Sequence, residues 1–136
     1  MSVQKQIVID ATNAILGRLA SFAAKQSLLG KSVIIVNCNE VVISGKKSNI
    51  LTEYKIARAR GGSSQRGPNF PKIPERIVKR TVRGMLSYKQ GRGRSALDRV
   101  ICYNAVPAEF VEAKKISSGK EKQIKTIKLS EIARLM

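Results

Sequence analysis

The sequence predicts an α/β layered fold with a largely parallel sheet, and three features carry that expectation. Two nearly continuous β-branched runs, Ser32 to Cys38 and Val41 to Ser44, have the composition of strands buried on both faces. Stretches with helical spacing, Ala14 to Leu29 and Lys46 to Arg60, alternate with them, and that alternation favours parallel pairing. The 136 residues are 43% hydrophobic, which supplies one adequate core and argues against a wholly disordered basic tail.

Taken in order, Gln6 to Ile9, with Val3, reads as a first strand, and Asp10-Ala-Thr-Asn13 as the turn leaving it. Thr12 or Asn13 can cap the next element. Within Ala14 to Leu29, Ile15, Leu16, Leu19, Phe22 and Ala23 recur at helical spacing, and Gly30 stands where a helix would stop. Gly17, Ala20, Ser21 and Ala24 form a row of small residues. Since Gly inside a helix costs about 1 kcal/mol relative to Ala, Gly17 is expected to pack closely on a sheet or another backbone. The two β-branched runs are expected to be central strands, the second ended by Gly45. In Lys46 to Arg60, Ile50, Leu51, Tyr54 and Ala57 share a helical face that closes at Gly61-Gly62.

Gly61 to Ile73 breaks the pattern. Pro68, Pro71 and Pro74 recur every third residue, compatible with an extended polyproline-like strap, either a basic surface loop or an ordinary linker. A helix is expected over Pro74 to Leu86. Lys89 to Arg94 reads as a glycine-rich connection, Ser95 as the cap of a short helix from Ala96 to Arg99, and Val100 to Tyr103 as a strand. Pro107 to Lys122 is polar and mixed in charge, as in a surface excursion. Ile124 to Ile127 is expected to be extended, and Ser130-Glu131 to begin a small helix ending at Met136. No linker divides residues 1–136 into two domains.

Charge points to the partner. The chain carries 26 Lys+Arg against 9 Asp+Glu, a net charge of +17 that marks a nucleic-acid binder. Residues 58–94 hold eleven bases and one acid, Glu75, for +10 of that +17. They are Arg58, Arg60, Arg66, Lys72, Arg76, Lys79, Arg80, Arg83, Lys89, Arg92 and Arg94. Arg76, Lys79, Arg80 and Arg83 fall at i, i+3, i+4 and i+7 and make one basic stripe, with Val78, Val82, Met85 and Leu86 opposite and Ile77 and Thr81 on the flank. A merely solvated helix face mixes signs, and this one does not. Lys46 and Lys47 open a helix against its dipole, a conflict an external phosphate would remove.

Other classes find little support. The chain has no His, which excludes Ser/His, Cys/His and His-metal arrangements, and its nine scattered carboxylates form no acid/base pair or metal cluster, so neither catalysis nor a metal is expected. Gly91-Arg-Gly-Arg-Ser-Ala96 matches a loose dinucleotide-binding pattern but follows no predicted strand, and Gly45-Lys46-Lys47-Ser48 lacks the first glycine of a P-loop. No cofactor or small-molecule substrate is expected. Aromatic residues are 4% of the chain, too few for a base-stacking platform. The N-terminus offers no apolar signal region and no run reaches membrane-spanning length, so the chain is expected to stay in the cytoplasm. Cys38 and Cys102 then read as two reduced thiols.

Ile9-Asp-Ala11, Ile15-Leu-Gly-Arg-Leu-Ala-Ser21, Val36-Asn37, Ile43-Ser-Gly45, Lys79-Arg-Thr-Val-Arg-Gly-Met-Leu86 and Arg92-Gly-Arg94, in this order, resemble the universal large-subunit ribosomal protein L thirteen family, in its archaeal and eukaryotic branch. The family usually has Pro where this chain has Ser87. The resemblance covers almost the whole chain and implies a three-layer α/β/α single domain around a small, mainly parallel β-sheet, with basic loop and helix extensions. It implies a non-catalytic constituent of the large ribosomal subunit, bound to large-subunit ribosomal RNA and neighbouring ribosomal proteins and supporting translation. The bases of residues 58–94, with Lys46 and Lys47, are then candidate contacts to RNA phosphates.

Overall fold

The computed structural model describes residues 6–59, 73–112, 115–117 and 126–135, with Arg58, Ala59 and Ser117 in backbone only. In chain order its elements are β1 (Gln6–Asp10), α1 (Leu16–Leu28), β2 (Ser32–Val36), β3 (Val42–Ser44), α2 (Lys47–Ala59), α3 (Pro74–Gly84), α4 (Gly91–Asp98), β4 (Val100–Cys102), β5 (Lys115–Ser117), β6 (Thr126–Lys128) and α5 (Leu129–Leu135). Val3, Ile124 and the proposed strap at 61–72 lie outside the described residues.

The main sheet has the order β4-β2-β1-β5, all parallel, with Ile9 opposite Ile35 and Ile35 opposite Cys102. Strand β2 is interior, and Val33 to Val36 are all buried, which is why its sequence is continuously apolar and does not alternate. Strand alternation sends Ile9, Val33 and Ile35 to one face, where they join buried side chains of α1 to α5, among them Leu19, Ile50, Val78, Ala96 and Ile132. Val8, Ile34 and Val36 face the other way and are covered by Tyr103, Val106 and Phe110, with the rings of Tyr103 and Phe110 6.0 Å apart. The class is the predicted one. Among the described residues, the layer on that second face is a loop with a 3-10 turn at Ala108–Phe110.

Val42–Ser44 was expected in the central sheet, and it is not there. Asn37 adopts a left-handed conformation (φ 60°), and a 3-10 turn at Cys38–Glu40 follows, so the chain leaves the sheet and β3 pairs antiparallel with β6. Asp10 anchors the departure. It accepts from Asn37 Nδ2 at 3.0 Å and from the N–H and hydroxyl of Thr12 at 3.1 and 2.7 Å. Burial alone would raise the Asp10 pKa, yet these donors hold it below the ordinary carboxylate value. With Thr12 occupied on Asp10, neither Thr12 nor Asn13 caps α1, whose N-cap is Ile15 with no side-chain bond.

The surface excursion at 107–122 contributes an unforeseen strand. Lys115–Ser117 lies parallel to β1 as a sheet edge. A third correction concerns Gly17, which is exposed, with open space where a Cβ would stand. At 100° per residue Gly17 lies about 100° around the helix from Leu16 and Ala24 about 80°, so the buried arc ends between them. Ala20 and Ala24 pack; Gly17 and Ser21 face outward. The helix stops as predicted at Gly30, whose φ of 96° disfavours any residue with a Cβ. Cys38 and Cys102 are free thiols, and the Cys102 side chain together with burial pushes the Cys38 thiol well above its ordinary pKa.

Candidate nucleic-acid interface

Helix α3 is fixed at its start by three local devices. Ile73 is extended, Pro74 occupies the first turn, and the Glu75 N–H donates to Asn104 Oδ1 at 3.0 Å, which satisfies a donor the helix itself leaves open. Ile77, Val78 and Val82, followed by Leu86 just beyond the helix, are buried and hold its inner side to the core. Met85, expected on that inner side, is exposed because the helix ends at Gly84 and the chain turns. Arg76 is exposed, and Arg80 and Arg83 are partly so.

Lys79 departs from the stripe. Its Nζ donates to the Leu97 carbonyl at 2.6 Å and also to the Val100 carbonyl, and burial lowers its pKa against the opposing pull of Cys102 and Asp98. The ammonium therefore fastens α3 to the end of α4 and the start of β4, and helical spacing alone did not reveal that neighbour. Arg76, at the same end of α3, lines an open groove of about 370 Å³ with Glu75, Lys79, Asp98, Ile101 and Cys102.

The predicted connection at Lys89 to Arg94 is largely helical: α4 begins at Gly91, so Arg92 and Arg94 stand on a regular backbone. Gly93 makes this possible. A Cβ there would lie 2.1 Å from the Ser87 carbonyl oxygen and 2.9 Å from the Ser87 nitrogen, so the Met85–Gln90 turn can fold onto α4 only over a glycine. Gln90 N–H donates back to Ser87 O at 3.0 Å, and Arg94 N–H to Gln90 O at 2.9 Å. Lys89, Arg92 and Arg94 are exposed, and the Arg83 guanidinium lies over the Tyr88 ring, 5.2 Å from its centroid.

The structure thus places Arg80 and Arg83 on α3, Lys89 in the connecting turn, and Arg92 and Arg94 on α4. It draws Lys47 elsewhere, to Glu131 of α5 at 2.5 Å, and this pair lowers the Glu131 pKa. The dipole conflict at the start of α2 is therefore met for Lys47 within the protein, while Lys46 stays exposed beside it. Arg58 is described in backbone only, and Arg60, Arg66 and Lys72 lie outside the described residues. Sequence reasoning missed Tyr88, whose signal was available: an aromatic residue in a polar turn, five positions after Arg83. It also missed Arg99, which is structural and donates to the Ser27 carbonyl at 2.7 Å, at the end of α1.

Among the described residues no helix is long and apolar enough to cross a membrane. The family described as Ribosomal protein L13 matches residues 4–109. The chain is 51% identical over 111 residues to the large ribosomal subunit protein uL13 of Methanosarcina barkeri, covering 81% of this chain and 79% of that protein. It is 45% identical over 135 residues to the uL13 protein of Archaeoglobus fulgidus (95% and 86% covered) and 40% identical over 133 residues to that of Picrophilus torridus (96% of each). The family match at residues 4–109 runs through β1, β2 and β4 of the parallel sheet and both basic helices, and the chain belongs to the ribosomal protein L13 family.

Proposed function

We propose that the chain is a structural, non-catalytic constituent of the large ribosomal subunit, acting in the cytoplasm, that holds folded large-subunit ribosomal RNA through cation contacts to its phosphates. Family membership supports the coarse statement, since the relatives are by name proteins of that subunit. One observation carries the finer one. From Arg76 to Arg94 the sequence has no acid, and its exposed cations stand on two helices joined by a turn that Gly93 holds tight. Guanidiniums fixed on rigid backbone meet phosphate oxygens bidentately with little ordering cost, and each neutralised phosphate releases a counterion. Neighbouring ribosomal proteins are the remaining partners, and Arg76 with its groove and the cations of residues 58–72 are further proposed contacts to RNA.

The affinity of the full chain for large-subunit RNA tests this as salt is varied. If about six to ten phosphates are neutralised, affinity falls by roughly three to five orders of magnitude between 50 and 200 mM salt. Replacing Arg92 and Arg94 by Ala lowers the slope of log affinity against log salt by about two while leaving stability within about 0.5 kcal/mol per site. A salt-insensitive dissociation constant, or a native chain that does not co-sediment with large ribosomal subunits at low salt, overturns the proposal.

A further inference from the structure

The chain has six aromatic residues. Phe22 and Tyr54 pack against the main core, Tyr103 and Phe110 against the second, and Phe70 lies outside the described residues. Tyr88 belongs to neither cluster and is 39% exposed in the turn between α3 and α4. Its ring is nevertheless not loose. The Arg83 guanidinium lies 5.2 Å from its centroid, a cation-π contact that restrains the ring. Restraint matters because a side chain already ordered loses less freedom when a ligand stacks on it.

We infer that Tyr88 stacks on one unpaired nucleobase of the RNA, a single base contact where the aromatic content is too low for a platform of several, added to the phosphate clamp and resting on that reading. The contact with Arg83 leaves the ring 39% exposed, more than the positioning of one guanidinium requires. A nucleobase uses that exposure, because it offers a π face to the ring while the phosphates on either side of it meet the surrounding charges. The base is an unpaired one, since bases inside an A-form helix do not present their faces. The exposed thioether of Met85 in the same turn adds apolar surface of the kind that suits a base edge.

The test compares the unaltered chain with Tyr88→Leu, Tyr88→Phe and Tyr88→Trp on large-subunit RNA, with thermal melts alongside. The Leu variant is expected to melt like the unaltered protein and to bind about 5- to 150-fold more weakly, the range that one stacked base is worth. Its salt slope stays unchanged, because no phosphate contact is lost. The Phe and Trp variants retain affinity to within about twofold, an allowance well inside one stacked base's worth, and chemical footprinting shows one unpaired base protected by them and by the unaltered chain but not by the Leu variant. Full affinity in the Leu variant overturns the inference. So does equal loss in the Phe variant, which makes the hydroxyl the contact, or a reduced slope in the Leu variant, which makes it a phosphate site. Should Tyr88→Leu melt early, Phe and Trp decide, and loss in both overturns the inference. If the unaltered chain has no affinity for the RNA, clamp and stacking contact fall together; if it binds with a steep slope and only the Leu result fails, the clamp stands and the stacking contact falls.

Discussion

Where α2, β6 and α5 meet, Lys47 and Lys128 lie 2.5 and 2.7 Å from the carboxylates of Glu131 and Glu40. Along α3, the following turn and α4, Arg83, Lys89, Arg92 and Arg94 make no ion pair among the described residues. The first region balances its charge with acids 84 and 88 positions away in the chain. The second carries cations of one sign on two helices and the turn between them, a charge excess that the proposed RNA phosphates would neutralise. The contrast separates two uses of a cation that composition cannot tell apart, and Lys79 shows that the border runs through one helix. Arg76, one turn earlier on α3, is exposed, while the Lys79 ammonium is bound to the carbonyls of Leu97 and Val100.

The largest expected effect breaks the unpaired region from inside. Gly93→Ala puts a Cβ 2.1 Å from the Ser87 carbonyl oxygen, a backbone atom that cannot yield without moving the turn. It should destabilise the protein by about 3 kcal/mol and displace Arg92 and Arg94, so that chemical denaturation and RNA affinity deteriorate together. Gly17→Ala is the control. With open space at Gly17 the same change should stabilise the domain by up to about 1 kcal/mol through helix propensity. A neutral Gly93→Ala would mean that the turn is compliant and that the arginines are not held in place.

Those two glycines also mark how far the sequence could be read. The main strands, α1 and its Gly30 stop, the core face of α2 and the outward arginines of α3 all followed from periodicity. Periodicity reports which side of an element is apolar. It does not report what lies against a glycine, so Gly17 was expected to be packed and Gly93 to be a linker residue, and the structure reverses both. The same limit explains β3, whose apolar run looked central although the left-handed Asn37 turns it out of the sheet, and β5, whose mixed-charge sequence hides an edge strand. Of the candidate site, exposure at Arg76, Lys89, Arg92 and Arg94 was legible. The inward turn of Lys79 and the pairing of Lys47 with Glu131 were not, because both depend on partners that only the tertiary fold supplies.

Next in size is the test of the border itself. Lys79→Met keeps most of the apolar stem but leaves the carbonyls of Leu97 and Val100 without their donor, at a cost of about 1–3 kcal/mol in urea denaturation. Because the Lys79 ammonium is already committed to the protein, the salt slope of RNA binding should match that of the unaltered chain. A slope lowered by about one, with stability unchanged, would return Lys79 to the RNA-facing set and move the border off α3.

The smallest effect belongs to the balanced corner. Glu40→Gln removes the partner of Lys128 from a pair whose side chains are both substantially exposed, so the stability lost should be no more than about 1 kcal/mol. The loss should shrink further as salt is added, because an exposed pair is screened within a Debye length of about 8 Å at physiological ionic strength. The informative readout is RNA binding. The change adds one positive charge to the chain and frees the Lys128 ammonium, yet if the two regions are used differently the salt slope stays where it was, since no phosphate is near enough to be neutralised by the freed lysine. A slope that rises by about one would show that Lys128 reaches RNA once Glu40 lets it go, and that the corner's acids hold back a second RNA-facing surface.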